Sequence, residues 1–194
     1  MRSTNPLPFT ILLAVLLSCQ SGQWQKTETL TVPKAELELR ANEGLYFFDN
    51  EPFSGTAESF DDLGNLVAEE VYVSGKRHGT VTKWFADGLM SYQGQYKNGR
   101  LHGEAFSWWT NGKMRSASYY ENGVAEGTQK QWYPSGAIFK EINLLDGKEH
   151  GMQKAWRENG KLYNNYEAKN GRIFGLKRAN LCFELKDEEV QYAD

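Results

Sequence analysis

Glycine recurs every 24 residues through most of this chain, and that period constrains the fold more than any other feature. It stands at Gly55, Gly79, Gly103, Gly127, Gly151 and Gly175. A second glycine follows nine residues later at Gly64, Gly88, Gly112, Gly136 and Gly160, and a third twenty residues later at Gly75, Gly99, Gly123, Gly147 and Gly171. All fifteen positions of five successive units hold. Five residues after each leading glycine stands an aromatic, namely Phe60, Trp84, Trp108, Trp132 or Trp156. Eleven residues after it comes an aliphatic side chain, Leu66, Met90, Met114, Ile138 or Leu162. A chain with such a period repeats one small structural unit, and each unit buries its apolar surface against its neighbours.

Two turn signals punctuate each unit. One is Asp87-Gly88, Asn111-Gly112, Ser135-Gly136 or Asn159-Gly160; the other is Asn98-Gly99, Asn122-Gly123, Asp146-Gly147 or Asn170-Gly171. These pairs tolerate the positive φ of tight hairpin turns, and the runs between them are rich in Trp, Tyr, Val and Thr. Each unit therefore reads as a β-hairpin. The expected fold is all-β: an elongated antiparallel meander of tandem hairpins, roughly ten strands and about 50 Å long at about 4.8 Å per strand, largely a single-layer sheet. Alternation along the second strand of the unit at Gly79 puts Met90, Tyr92 and Tyr96 on one face and Ser91, Gln93 and Gln95 on the other. The leading glycine is expected to let an aromatic of an adjacent strand lie across its backbone. Residues 35–54, with Leu37, Leu39, Leu45, Tyr46, Phe47, Phe48 and Phe53, read as an N-terminal cap of one or two strands. The five repeats fill 55–174. Residues 175–194 read as a C-terminal cap in which Lys186 to Glu189 protects the sheet edge.

The 22 basic and 25 acidic side chains of the 194 residues nearly balance, which argues against a nucleic-acid binder driven by bulk charge. An aromatic fraction of 13% excludes disorder throughout. Two cysteines and three dispersed histidines form no disulfide scaffold and no local metal motif.

The N-terminus reads as an address. Arg2 precedes an apolar run from Leu7 to Leu17, too short to span a bilayer as a helix, so residues 1–18 are expected to be a signal peptide. Leu16, Ser18 and Cys19 resemble a bacterial lipobox, which implies that Cys19 becomes the acylated first residue of an anchored protein. The same resemblance, with Gln20 after the cysteine in place of Asp, implies the outer membrane, facing the periplasm. Residues 19–34 then form the lipidated cysteine and a flexible tether.

The repeat pattern resembles the MORN repeat: a leading Gly, an aromatic five later, Asn-Gly or Asp-Gly, an aliphatic, a Tyr such as Tyr72, Tyr96 or Tyr120, then Asn-Gly followed by a basic residue. The likeness covers Gly55 to Gly175. In particular it resembles bacterial MORN-variant proteins of the YwqK antitoxin-like type. The resemblance implies a scaffold or a phospholipid-binding module, and brings no catalytic residues with it.

Three sets of residues are candidates for function. His78, His102 and His150 each precede a leading glycine, as does Glu126, which favours a turn role over metal binding. Lys76, Arg100, Lys148 and Arg172 follow the third glycine and should form a basic column on one rim, able to meet lipid phosphates. Phe85, Trp109 and Tyr133 directly follow the Trp row and should point away from it; a row of exposed aromatics marks a partner-contact surface. Cys182, in an apolar strand, reads as buried and inert. No cofactor-binding motif and no Ser-His-Asp set, phosphate loop or carboxylate pair stands out. The expected function is a non-enzymatic, membrane-anchored repeat scaffold that binds another cell-envelope component. A phospholipid-surface module acting through the basic rim, or an antitoxin-like protein, are the alternatives.

Overall fold

The computed structural model describes residues 29–174 together with two strands at 183–186 and 189–192. The segment read as a signal peptide, Cys19 and Cys182 lie outside the described residues. The chain runs through β1 (Thr31–Pro33), a 3-10 turn at Lys34–Glu36, β2 (Glu38–Arg40), β3 (Leu45–Phe48) and β4 (Glu51–Pro52). The repeats follow as β5 (Gly55–Phe60), β6 (Leu66–Val73), β7 (Lys76–Trp84), β8 (Met90–Lys97), β9 (Arg100–Trp108) and β10 (Met114–Glu121). They continue through β11 (Val124–Trp132), β12 (Ile138–Leu145), β13 (Lys148–Glu149), β14 (Gly151–Trp156), β15 (Leu162–Lys169) and β16 (Arg172–Phe174), before β17 (Phe183–Lys186) and β18 (Glu189–Tyr192). No helix among the described residues is long and apolar enough to cross a membrane.

Thirteen strands form one open sheet in sequence order from β5 to β16, with β1 added at its start. The five hairpins supply the ten expected strands, counting β13 and β14 as one strand broken at His150. Both turn signals make hairpins, by different geometries. At the third glycine both loop residues have positive φ, 52° and 82° at Asn98 and Gly99, so the turn is type I′ and the strands pair directly across it at Lys97 and Arg100. At the second glycine only the glycine is positive. There Phe85 N–H donates to the Leu89 carbonyl and Gly88 N–H to the Phe85 carbonyl, giving a three-residue loop that ends in a left-handed glycine. Asp87, Asn111 and Asn159 are chosen for their side-chain oxygen, which accepts the N–H two residues on.

The extra residue beside that loop alters the faces. Lys83 pairs with Tyr92 but Trp84 pairs with Met90, so the alternation slips by one residue between Met90 and Tyr92. Tyr92 and Tyr96 do share a face, with their hydroxyls 3.4 Å apart. Met90 instead joins Trp84 on the other, which corrects the expected grouping. A bulge had removed the period on which that grouping relied.

The leading glycine also has another reason than the one expected. Gly79, Gly103, Gly127 and Gly151 have φ of 96°, 107°, 70° and 81°, where L side chains are strained, and no aromatic lies within 4 Å of a Cβ built on any of them. A ring does lie against the first leading glycine, where a Cβ on Gly55 would meet the Phe53 ring at 2.8 Å, and the Tyr92 hydroxyl lies over Gly94.

The residue two positions after each leading glycine is buried in every repeat: Ala57, Val81, Ala105, Gln129 and Gln153, from 0% to 8% exposed. The two glutamines replace apolar side chains by bonding the backbone that the bulge releases. Gln153 Nε2 donates to the Asn143 carbonyl at 2.8 Å while its Oε1 accepts from Asn143 N–H at 2.9 Å, and Gln129 Nε2 donates to the Glu126 carbonyl at 2.7 Å. Gln153, bonded at both ends, offsets its own desolvation, whereas the buried Gln129 Oε1 has no hydrogen-bond partner among the described residues.

The caps differ from expectation. The N-terminal cap starts at Thr31, inside the segment read as tether. There β1 pairs parallel to β5 and buries Val32, because Phe53, Ala57 and Tyr72 offer it an apolar seat. The cap's own sheet has three strands, β2, β3 and β4. At the other end the last main-sheet strand is β16. The strands β17 and β18 pair with each other, Lys186 opposite Glu189, in a separate two-stranded sheet and do not extend the main one.

Candidate functional site

The paired register builds one continuous row across six strands: Lys83, Tyr92, Ser107, Ser116, Gln131 and Lys140, each opposite the next. Directly paired residues share a face, so this row is the floor of a surface spanning the second, third and fourth repeats. The surface sinks into two adjoining depressions. One, about 360 Å3, is lined by Ser107, Trp109, Arg115, Ser116, Gln131, Trp132 and Phe139. The other, about 490 Å3, is lined by Lys83, Phe85, Ser91, Tyr92, Tyr96, Ser107, Trp108 and Arg115. They share Ser107 and Arg115 and so form one trough.

The trough is aromatic, hydroxylic and cationic. The Ser107 and Ser116 hydroxyls bond at 2.6 Å, the Arg115 guanidinium lies 4.8 Å from the centre of the Trp109 ring, and the Lys83 ammonium lies 6.0 Å from that of Tyr92. Such cations are attracted by the ring face while keeping their charge available to a ligand. No carboxylate lines the trough, and among the described residues neither Lys83 nor Arg115 joins a salt bridge. Burial and the neighbouring Tyr96 hydroxyl push the Tyr92 phenol up, so it stays a neutral hydrogen-bonding group.

Phe85 and Trp109 line the trough, but so do Trp108 and Trp132 of the Trp row, while Tyr133 stands just beyond the lining. Phe85, Trp109 and Tyr133 are half-buried rather than exposed. Trp109 Nε1 donates to the Trp132 carbonyl at 3.0 Å, and the Tyr133 hydroxyl donates to the Trp156 carbonyl at 2.9 Å. Trp109 and Tyr133 each tie their loop to the next repeat, and Trp109 is also a wall of the trough. Asn111 Nδ2 reinforces this by donating to the Pro134 carbonyl at 2.7 Å.

Lys76, Arg100, Lys148 and Arg172 are all exposed and all begin a strand just after a type I′ turn. Their stems run along one rim: the Lys76, Arg100 and Lys148 Cβ atoms each lie beside the turn glycine of the next repeat, at Gly99, Gly123 and Gly171. Val124 holds the place of a basic residue beside Gly147. The histidine position serves the same turns. His102 Nδ1 accepts from Asn122 N–H at 3.4 Å, the Glu126 carboxylate accepts from Asp146 N–H at 2.8 Å, and Ser54 Oγ accepts from Ser74 N–H at 2.8 Å. No group of three or more metal-ligating side chains occurs among the described residues.

Sequence reasoning missed the floor and cations of the trough, Lys83, Ser107, Arg115, Ser116 and Gln131. Their signal was present in the turn chemistry: a three-residue loop ending at Gly112 sets Ser107 against Ser116, but only once the bulge is counted.

A second concentration of charge joins the cap to the first repeat. Lys34 Nζ lies 2.6 Å from Glu70 Oε2 and sits over the rings of Tyr46 and Tyr72 at 3.8 and 4.3 Å. The Tyr72 hydroxyl donates to Glu70, and Arg77 reaches Glu70 Oε1 at 3.2 Å. Burial opposes the Glu70 charge, but Lys34, Tyr72 and Arg77 outweigh it and hold the carboxyl below its ordinary range. Burial pushes the Lys34 ammonium down and the Tyr72 phenol up. With Glu70 6% exposed, this cluster is an internal latch.

The family model described as MORN repeat variant matches residues 101–122 and 125–146, the third and fourth hairpins. These segments are repeats of that kind, and the same glycine, aromatic and turn geometry extends over all five units. No curated protein matches the chain. MORN repeats are generally non-catalytic modules, consistent with a repeat scaffold or a membrane-binding module.

Proposed function

We propose that the protein is a non-enzymatic repeat scaffold, held at the bacterial cell envelope by acylation of Cys19, that binds another envelope component through its sheet surface. The observation that carries this reading is the trough: aromatic walls and cations without a carboxylate partner among the described residues, on a rigid floor set by consecutive strand pairs. A surface with exposed charge beside large aromatics is suited to meet a partner. Lipidation would place it within a tether's length of the membrane. Crosslinking the protein in its native cells, beside a Cys19→Ala control, tests both parts. The expected result is a specific envelope protein captured from the membrane form and lost with the control. Capture of lipid alone would refute it.

A second reading has its own observation. The stacked rim of Lys76, Arg100, Lys148 and Arg172 suits an anionic membrane surface, at about 1 kcal/mol for each basic group. Under it, unlipidated protein floats with anionic vesicles in low salt and is released in high salt, as screening of exposed charges requires.

A further inference from the structure

We propose that the trough binds an acidic, proline-rich segment in the polyproline II conformation. The inference rests on the scaffold reading above and names the chemistry of its partner. Phe85, Trp109 and Tyr133 occupy equivalent places in successive repeats, two strands apart. At about 4.7–4.9 Å per strand, Phe85 and Trp109, which both line the trough, stand ~9.5 Å apart, and Tyr133 continues the row at the same step beyond the lining. A polyproline II helix has three residues per turn at about 3.1 Å each, a repeat of ~9.3 Å. An extended β peptide repeats its side chains every ~6.7 Å and an α-helix turns every ~5.4 Å, so neither stays in step with the walls.

The chemistry agrees with the spacing. Half-buried aromatic faces receive pyrrolidine rings, as aromatic-lined grooves do for preformed polyproline segments. A polyproline II backbone makes no internal hydrogen bonds, so its carbonyls need donors. Gln131 is exposed in the trough, and Ser91 and the Ser107–Ser116 pair line it. Lys83 and Arg115 are both exposed, without a carboxylate partner among the described residues, which selects acidic side chains on the ligand. A neutral proline-rich segment would leave those cations unused. A purely anionic polymer would leave the aromatic steps unused.

The test titrates the full-length protein with two labelled peptides of equal length and charge, one of Pro-Pro-Glu triads and one of Ala-Ala-Glu triads, and follows fluorescence anisotropy. The proline peptide is expected to bind about tenfold tighter than the alanine peptide. Arg115→Glu and Lys83→Glu should each weaken it by about tenfold, with an unchanged circular-dichroism spectrum and melting temperature. Replacing the glutamates of the peptide by lysines should restore binding to the Arg115→Glu protein, a rescue that damaged folding would not give. Equal affinity for both peptides, or binding indifferent to Arg115→Glu and Lys83→Glu, overturns the proposal, as does binding to anionic vesicles with neither peptide bound. If neither peptide binds but crosslinking in cells still captures a protein, the ligand class is wrong and the scaffold reading stands. If nothing is captured, both fall.

Discussion

Glu70 is the residue on which the docking of the N-terminal cap depends, because three polar groups from three segments converge on one buried carboxylate. Its folded pKa lies below the ordinary 4.5, so its stabilisation is complete above that value and is lost as pH falls through the depressed one. Tyr72 behaves in the opposite sense: raised above 10.0, it contributes fully below that value and its contribution is lost as pH rises through the raised one. Lys34, lowered from 10.5, offsets part of that alkaline loss. Glu70→Gln is therefore expected to cost about 3 kcal/mol near neutral pH, since it strands two cations on a buried site. Urea melts at about pH 7 and about pH 3 check this; the gap from wild type should shrink at the lower pH. Glycines separate by the same local reasoning. A Cβ at Gly103 meets Gln95 Cβ at 3.2 Å with φ at 107°, whereas one at Gly112 meets open space at φ 77°. Gly112→Ala should cost about 1–2 kcal/mol from backbone strain alone, and Gly103→Ala more, as read from shifts in melting temperature.

Among elements, the hairpin is the unit, and its two ends obey different rules. The type I′ ends were legible because Asn98-Gly99 and its equivalents need two positive φ values in succession. At the other end Asp87-Gly88 looks the same in sequence but supplies an Asx acceptor followed by one left-handed glycine. The extra residue there explains why the period-two reading failed for Met90 and why the trough floor stayed hidden. Likewise the buried Gln153 resembles a polar surface residue in sequence, since nothing in its type reveals that a bulge at Gly151 leaves backbone groups for it to bond. Gln153→Ala should cost about 1–3 kcal/mol by orphaning the Asn143 N–H, since the Asn143 carbonyl keeps its bond from His150 N–H. Hydrogen exchange should show the Asn143 amide losing protection while strands β5 to β8 keep theirs. A uniform loss across the sheet would mean that the bond is not local.

For the whole molecule, the repeats were legible from spacing alone, while the caps were not, because β1 is read from its seat against Phe53, Ala57 and Tyr72 rather than from any signal in Thr31–Pro33. Nearest-neighbour stacking makes stability close to additive along the sheet. Deleting residues 103–126, one whole unit, should leave a folded all-β protein with a lower melting temperature. Deleting 103–114, a single strand with its loop, reverses the direction of all that follows and should abolish folding. The central claim is that the trough face is the binding surface, and neighbouring residues on opposite faces test it most directly. Gln131 lies on the trough floor between Ser116 and Lys140, while Lys130 pairs with Ala117 and Glu141 on the other face; both are exposed. A photo-crosslinking side chain placed at each position in turn, in native cells, should give a discrete adduct at Gln131 and none at Lys130. An adduct at Lys130 alone, or equal adducts at both, would contradict the account.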